Sequence, residues 1–211
     1  MRELSERDVA EFRERIGDAA ATLYGRGGEA AVSMREIARA VGASPMGLYR
    51  YFDDRDAIIA YLRTRAFTRF AERLEAAFAK GSEPFARARA VGRAYLDFAL
   101  ENASDYRLMF SLSQPNEDKN SPLAKASARA TLTVTRHVDD LVKAGIVVGD
   151  SKEIGRALWA AAHGVIVLHL AGRLPKGANV RELYFETMRL AFRGARTPSS
   201  KNQSNTKRRR A

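Results

Sequence analysis

Apolar residues recur along most of this chain at spacings of three and four, the period of an amphipathic helix. The first stripe is Phe12, Ile16, Ala19, Ala20 and Leu23, opened by Ser5 with Asp8 and closed by Gly25, Gly27 and Gly28. A shorter stripe, Ile37, Ala38 and Val41, follows Ser33 and Glu36, the pair of a capping box. It stops at Gly42, where a left-handed residue commonly ends a helix. Ser44 then caps a third helix with Pro45 in its first position, where the missing N–H costs nothing. Leu48 and Phe52 point one way along it, which leaves Tyr49, Arg50 and Tyr51 to face elsewhere.

Asp53 or Asp54 opens a long helix that the pattern carries to residue 80, and a fifth follows Pro84 as far as residue 101. A short aromatic-rich helix is expected over 106–112, and the polar stretch 114–122, with two prolines, as a loop. Three more helices are expected over 123–144, 152–171 and 180–192. The second of these is apolar nearly all round and so should be buried on most sides. From residue 197 the chain is Ser, Asn, Lys and Arg with one Pro, the composition of a disordered tail. No alternating strand pattern competes anywhere. The expected fold class is all-α, with about nine helices. The expected organisation is a three-helix domain over 1–53, a larger helical domain over 54–195, and a basic tail over 196–211.

Composition narrows the chemistry. The 211 residues contain no cysteine, which excludes structural disulfides and thiolate metal sites. The N-terminus is charged and amphipathic, unlike a signal peptide. The longest uncharged apolar run, 157–172, falls short of the ~18 residues of a membrane span. No membrane association and a cytoplasmic location are therefore expected. His163 and His169 lie about 240° apart around one helix, so they do not share a metal, and His137 is the only other histidine. No metal and no cofactor are expected. There is no phosphate-binding glycine loop, nucleophile elbow or zinc-binding His pair, so no enzyme reading and no catalytic residue emerge.

The net charge of +11 suggests a polyanionic partner, but its distribution matters more than its size. Residues 1–55 hold nine arginines against ten acids, whereas 196–211 hold six basic residues and no acid. Bulk charge thus gives no reason to place a nucleic acid on the N-terminal helices. Their motif does. Two short helices joined by a glycine-containing turn outline a helix-turn-helix, whose second helix enters a DNA major groove.

With a preceding helix, the segment VSMREIARAVGASPMGLYRYFDDRDAII resembles the N-terminal domain of the TetR family of transcriptional regulators. The resemblance rests on Ile37-Ala38, Gly42, Leu48-Tyr49, Tyr51-Phe52 and the basic Arg55. Farther on, DYRLMFS at 105–111 and LWAAAHG at 158–164 resemble a subgroup of that family with a Trp-His-Gly pattern in its ligand-binding domain. The implied protein is a homodimeric repressor of a palindromic double-stranded operator, released by a small-molecule effector of unknown identity.

The resemblance places Ser33, Met34 and Arg35 at the start of the second helix, facing backbone or groove. It makes Ser44, Pro45, Met46, Gly47 and Arg50 candidates for the groove face, and Tyr49, Tyr51 and Arg55 candidates for phosphate contact. The chemistry agrees: phenol O–H and guanidinium donate to phosphate oxygens, and arginine pairs bidentately with guanine. Tyr51 as a partly buried aromatic is the alternative for that position. Candidate pocket residues are Tyr95, Phe98, Tyr106, Met109, Phe110, Trp159 and His163. The competing view makes the aromatics plain core and has His163 meet a backbone carbonyl. A dimer seam on the last two helices would use Leu158, Val165, Leu168, Leu183, Met188 and Phe192. Two rival functions remain at this point: a low-specificity DNA-packaging protein, with the tail as a DNA arm, and a small-molecule binding protein or enzyme with a vestigial helix-turn-helix.

Overall fold

The structure, a computed structural model, describes residues 5–111 and 118–195. Among them are nine α-helices: α1 (Glu6–Gly27), α2 (Met34–Val41), α3 (Pro45–Leu48), α4 (Arg55–Lys80), α5 (Pro84–Glu101), α6 (Ala103–Met109), α7 (Pro122–Lys143), α8 (Ser151–Leu170) and α9 (Val180–Ala195). A 3-10 turn at Glu29–Ala31 precedes α2. The all-α expectation holds. Most of the loop at 112–117 and the whole tail at 196–211 lie outside the described residues.

Local chemistry explains most of the ends. Ser5 and Asp8 make both halves of a capping box at the head of α1. Gly42 closes α2 at φ 71°, a left-handed conformation that side chains with a Cβ resist. Asp150 opens α8 by accepting the N–H groups of Lys152 and Glu153 at 2.7 and 3.1 Å. Two boundaries differ from expectation. The short helix forms three residues early, at Ala103–Met109. Pro122 belongs to α7 rather than to the loop, because Ser121 caps that helix through the Ala124 N–H at 3.0 Å.

The contacts divide the chain into two units. The first contains residues up to Ala71 together with the segment Asn102–Ala130. Its core joins Ile16 of α1, Ile37 of α2, Leu48 of α3, Ile58 and Leu62 of α4, and Leu108 of α6. The expected boundary at 53/54 therefore passes through a shared core, because α4 completes what the first three helices cannot bury alone. Arg63, a buried charge on α4, donates to the Leu108 carbonyl at 3.2 Å and to Ser111 Oγ at 2.6 Å, tying α4 to the end of α6.

The second unit contains Glu72–Glu101 and the chain from Thr131 onward. Here α8 and α9 pack along each other. Tyr184 of α9 is buried and donates to the Gly92 carbonyl of α5 at 2.9 Å. Gly155 lets α8 approach α7, since a Cβ there would stand 3.1 Å from Thr135 Cγ2. Leu158 and Val165, expected on a dimer seam, are only 6% and 7% exposed and belong to this unit's own core. Among the described residues no helix is long and apolar enough to cross a membrane.

One histidine in the second unit links folding to pH. His137 Nδ1 is enclosed without a hydrogen-bond partner among the described residues. Burial pushes the imidazole pKa down to about 4, against the opposing pull of Asp140 and Asp139. The folded-state pKa lies below the unfolded value of about 6.5, so only the unfolded chain takes up a proton as pH falls between the two. The stability that neutral His137 confers is complete above that window. It declines as pH falls through it, by up to about 3 kcal/mol. Denaturant titrations of wild type and His137→Phe at pH 7.5 and pH 4.5 should show the wild type losing more. Equal losses would contradict the assignment.

Candidate nucleic-acid interface

The outward face of the helix-turn-helix follows from what its inward face must bury. Leu48 is fully buried and Phe52 nearly so, both against α1, α2 and α4. Helical geometry continues past α3: the Phe52 N–H still donates to the Leu48 carbonyl at 3.1 Å. With those side chains inward, Met46 is left 76% exposed and Tyr49 50% exposed, and Pro45 and Arg50 are exposed beside them. Met46, Tyr49 and Arg50 are three and four residues apart and so share one helical face. Ser44 is exposed, but its Oγ is engaged, accepting the Gly47 N–H at 3.1 Å. Gly47 is half-buried.

At the head of α2, Ser33 Oγ accepts the Glu36 N–H at 3.2 Å. The reciprocal half of the capping box is missing, because the Glu36 carboxylate pairs with Arg39 instead. Arg35 is exposed, while Ser33 and Met34 are half-buried, Met34 against the core. Arg35 and Arg50 make no ion pair or hydrogen bond among the described residues.

Three other arginines of this unit are spent on the protein itself. Arg13 donates to the Tyr51 carbonyl and lies over the Phe52 ring, 4.1 Å from its centroid. Arg15 donates to the Val41 carbonyl at 3.2 Å. Arg55 departs most from the sequence reading. Its Nε donates to the Val32 carbonyl at 2.7 Å and its Nη2 to the Glu29 carbonyl at 2.6 Å, with the Glu29 carboxylate 3.4 Å away. This guanidinium fastens the head of α4 to the turn that leads into α2, and nothing in the local sequence pairs residue 55 with residues 29 and 32. Tyr51 also turns inward: it is half-buried, with its ring 4.7 Å from that of Phe12.

The residues expected to line a pocket fall in both units. In the second unit, Tyr95 and Phe98 are buried on α5, and Trp159 Nε1 donates to Tyr95 OH at 3.1 Å. The Trp159 and His163 rings lie 5.8 Å apart, and burial lowers the His163 pKa. In the first unit, Tyr106 and Met109 are buried, and Phe110 is half-buried with its ring 4.8 Å from Tyr106. None of the seven lines a cleft of about 260 Å³ in the first unit. That cleft runs among α1, α4 and α6 and is bordered by Asp18, Arg65, Arg69 and Asp105. Arg65 pairs there with Asp18 at 2.7 Å, and Arg69 pairs with Asp105.

Of the residues expected at a dimer seam, Leu168 and Leu183 are exposed and Met188 is half-buried. Phe192 is also half-buried, its ring 5.8 Å from Phe85. Val167, Phe185 and Leu190, outside the expected seam set, are exposed too.

Known proteins agree with this architecture. Residues 16–62 match the bacterial regulatory proteins of the tetR family, and residues 88–191 match the tetracyclin repressor-like C-terminal domain. An uncharacterised HTH-type transcriptional regulator of Mycobacterium tuberculosis is 46% identical over 55 residues, 26% of this chain and 27% of that protein. The chain thus spans about a quarter of the length of that curated relative. The solved structure of a protein with unknown function from Rhodococcus sp. RHA1 superposes with a TM-score of 0.78 at 28% identity, covering 88% of this chain and 95% of its own. The TetR family regulator PfmR of Thermus thermophilus shares the fold at a TM-score of 0.64 and 22% identity, over 85% of this chain and 97% of its own. With an N-terminal helix-turn-helix and a C-terminal helical region both matched, the chain belongs to the TetR family of transcriptional regulators.

Proposed function

We propose that this regulator is a homodimeric repressor that reads its operator through α3 and leaves it when a small molecule binds the C-terminal region. The observation that carries the reading is the single outward face of Met46, Tyr49 and Arg50 above the buried Leu48 and Phe52. The proposed contact set is Arg35, Ser44, Pro45, Met46, Tyr49 and Arg50. Arg50 is placed to pair with a guanine edge, and the Tyr49 phenol to donate to a phosphate. Arg55 and Tyr51 leave that set, since both are engaged within the protein.

Family regulators bind operator DNA as dimers. Two recognition helices of a two-fold dimer would meet major grooves roughly 34–36 Å apart or at a multiple of that distance. The apolar side chains that the second unit leaves exposed on α8 and α9, among them Leu168, Leu183 and Leu190, favour a homodimer along those helices. Gly164 fits the same seam. Among the described residues a Cβ there would meet nothing within 4 Å, so none of their contacts explains the glycine. Tyr95, Trp159 and His163 are the proposed effector contacts, an apolar wall with polar handles. The effector must bind the released state more tightly than the DNA-bound state, or the population does not shift.

On an operator selected in vitro from random duplexes, Arg50→Ala with Tyr49→Phe should weaken binding by about 10- to 100-fold at fixed salt. Both side chains are exposed, so the circular dichroism spectrum should not change. Unaltered affinity would remove α3 from the interface. Gly164→Leu, and separately Leu168→Glu, should convert the dimer to a folded monomer in sedimentation velocity. A dimer retained by both variants would move the seam elsewhere.

A further inference from the structure

Within its own four residues, Pro45–Leu48, α3 sends few hydrogen-bonding groups outward, and this constrains which base that turn reads. Between Ser44 and Leu48, the Ser44 Oγ accepts the Gly47 N–H and keeps only its O–H to donate, Pro45 has no N–H, Gly47 has no side chain and Leu48 is buried. Met46 is the one long side chain that this turn sends outward, and 76% of it is exposed. Its thioether is at best a weak acceptor and its other atoms are apolar. In the major groove, adenine, guanine and cytosine present nitrogen and oxygen edges, whereas thymine alone adds a methyl group.

Resting on the reading that α3 enters the major groove, we propose that Met46 is a specificity-determining residue that packs on the 5-methyl group of a thymine in each half-site. Burial of that contact removes apolar surface of both partners from water. A cytosine or purine edge in the same place would lose hydrogen bonds to water and gain none from the thioether. Tyr49 and Arg50, on the same face, supply the polar contacts that Met46 cannot. The arrangement divides the work: Arg50 selects for guanine and Met46 for thymine. Flexibility suits methionine to the task, because its unbranched chain adapts to a methyl group without a fixed rotamer.

The test replaces thymine by deoxyuridine, one symmetric pair of positions at a time, in the site selected by the full-length protein. Loss of one methyl contact is worth about fourfold in affinity, so the critical pair of positions should cost roughly tenfold or more. Met46→Ala should bind the thymine site more weakly than wild type and lose the discrimination between thymine and uracil. Since Met46 is largely exposed, the variant folds as wild type, which its melting temperature checks. Wild-type protein indifferent to uracil at every position overturns the proposal, as does a uracil penalty that persists in full in Met46→Ala. If no selective site emerges at all, the reading of α3 itself fails and this proposal falls with it. If selection succeeds and depends on Arg50 but not on any thymine methyl, only this proposal fails.

Discussion

Burial of Leu48 and Phe52 is the constraint on which the rest of the N-terminal unit depends. Four helical residues are far too few to hold a helix in water by themselves, because nucleation outweighs the few hydrogen bonds formed. What holds α3 is tertiary: two large side chains sunk among Ile16, Ile37 and Ile58, each worth about 1.5–3 kcal/mol of burial. Fixing those two fixes the rotation of the helix, and the rotation decides that Met46, Tyr49 and Arg50 face away. The caps set where the turn begins and ends. Arg55 then sets the angle of entry, by holding the backbone just before α2 against the head of α4.

How an almost charge-balanced segment serves a polyanionic partner becomes clear from where its arginines go. Arg13, Arg15, Arg39 and Arg55 are engaged with carbonyls or carboxylates of the protein. Among the described residues Arg35 and Arg50, at the head of α2 and just past α3, are not. Summed charge treats all of these alike, although a guanidinium that already donates to two carbonyls has little left for a phosphate. Two unengaged arginines on the proposed face matter more than the total of nine in the first 55 residues.

What was legible in the sequence was local, and what was not came from tertiary partners. Gly42, Ser44 and Pro45 announce a stop, a cap and a first helical position through their own backbone preferences, and the structure has each of them there. Leu48 and Phe52 were legible as inward because helical spacing puts them on one stripe. The role of Arg55 was not legible, since its acceptors lie more than twenty residues earlier in the chain. Glu36 looked like half of a capping box until Arg39, one turn on, took its carboxylate. On α8 the sequence is apolar on nearly every side, so the pattern does not say which apolar residues face the chain's own core. Leu158 and Val165 do, while Val167 and Leu168 do not.

Held by these contacts, α3 of each of two protomers reads one half of a symmetric DNA site under the proposed function. Hydroxyl-radical footprinting of the full-length protein on its selected site tests this most directly. Two equivalent protected half-sites related by a two-fold axis are expected, with centres about 10–10.5 base pairs apart or at a whole multiple of that spacing. A single protected patch, or uniform protection indifferent to sequence, would contradict it.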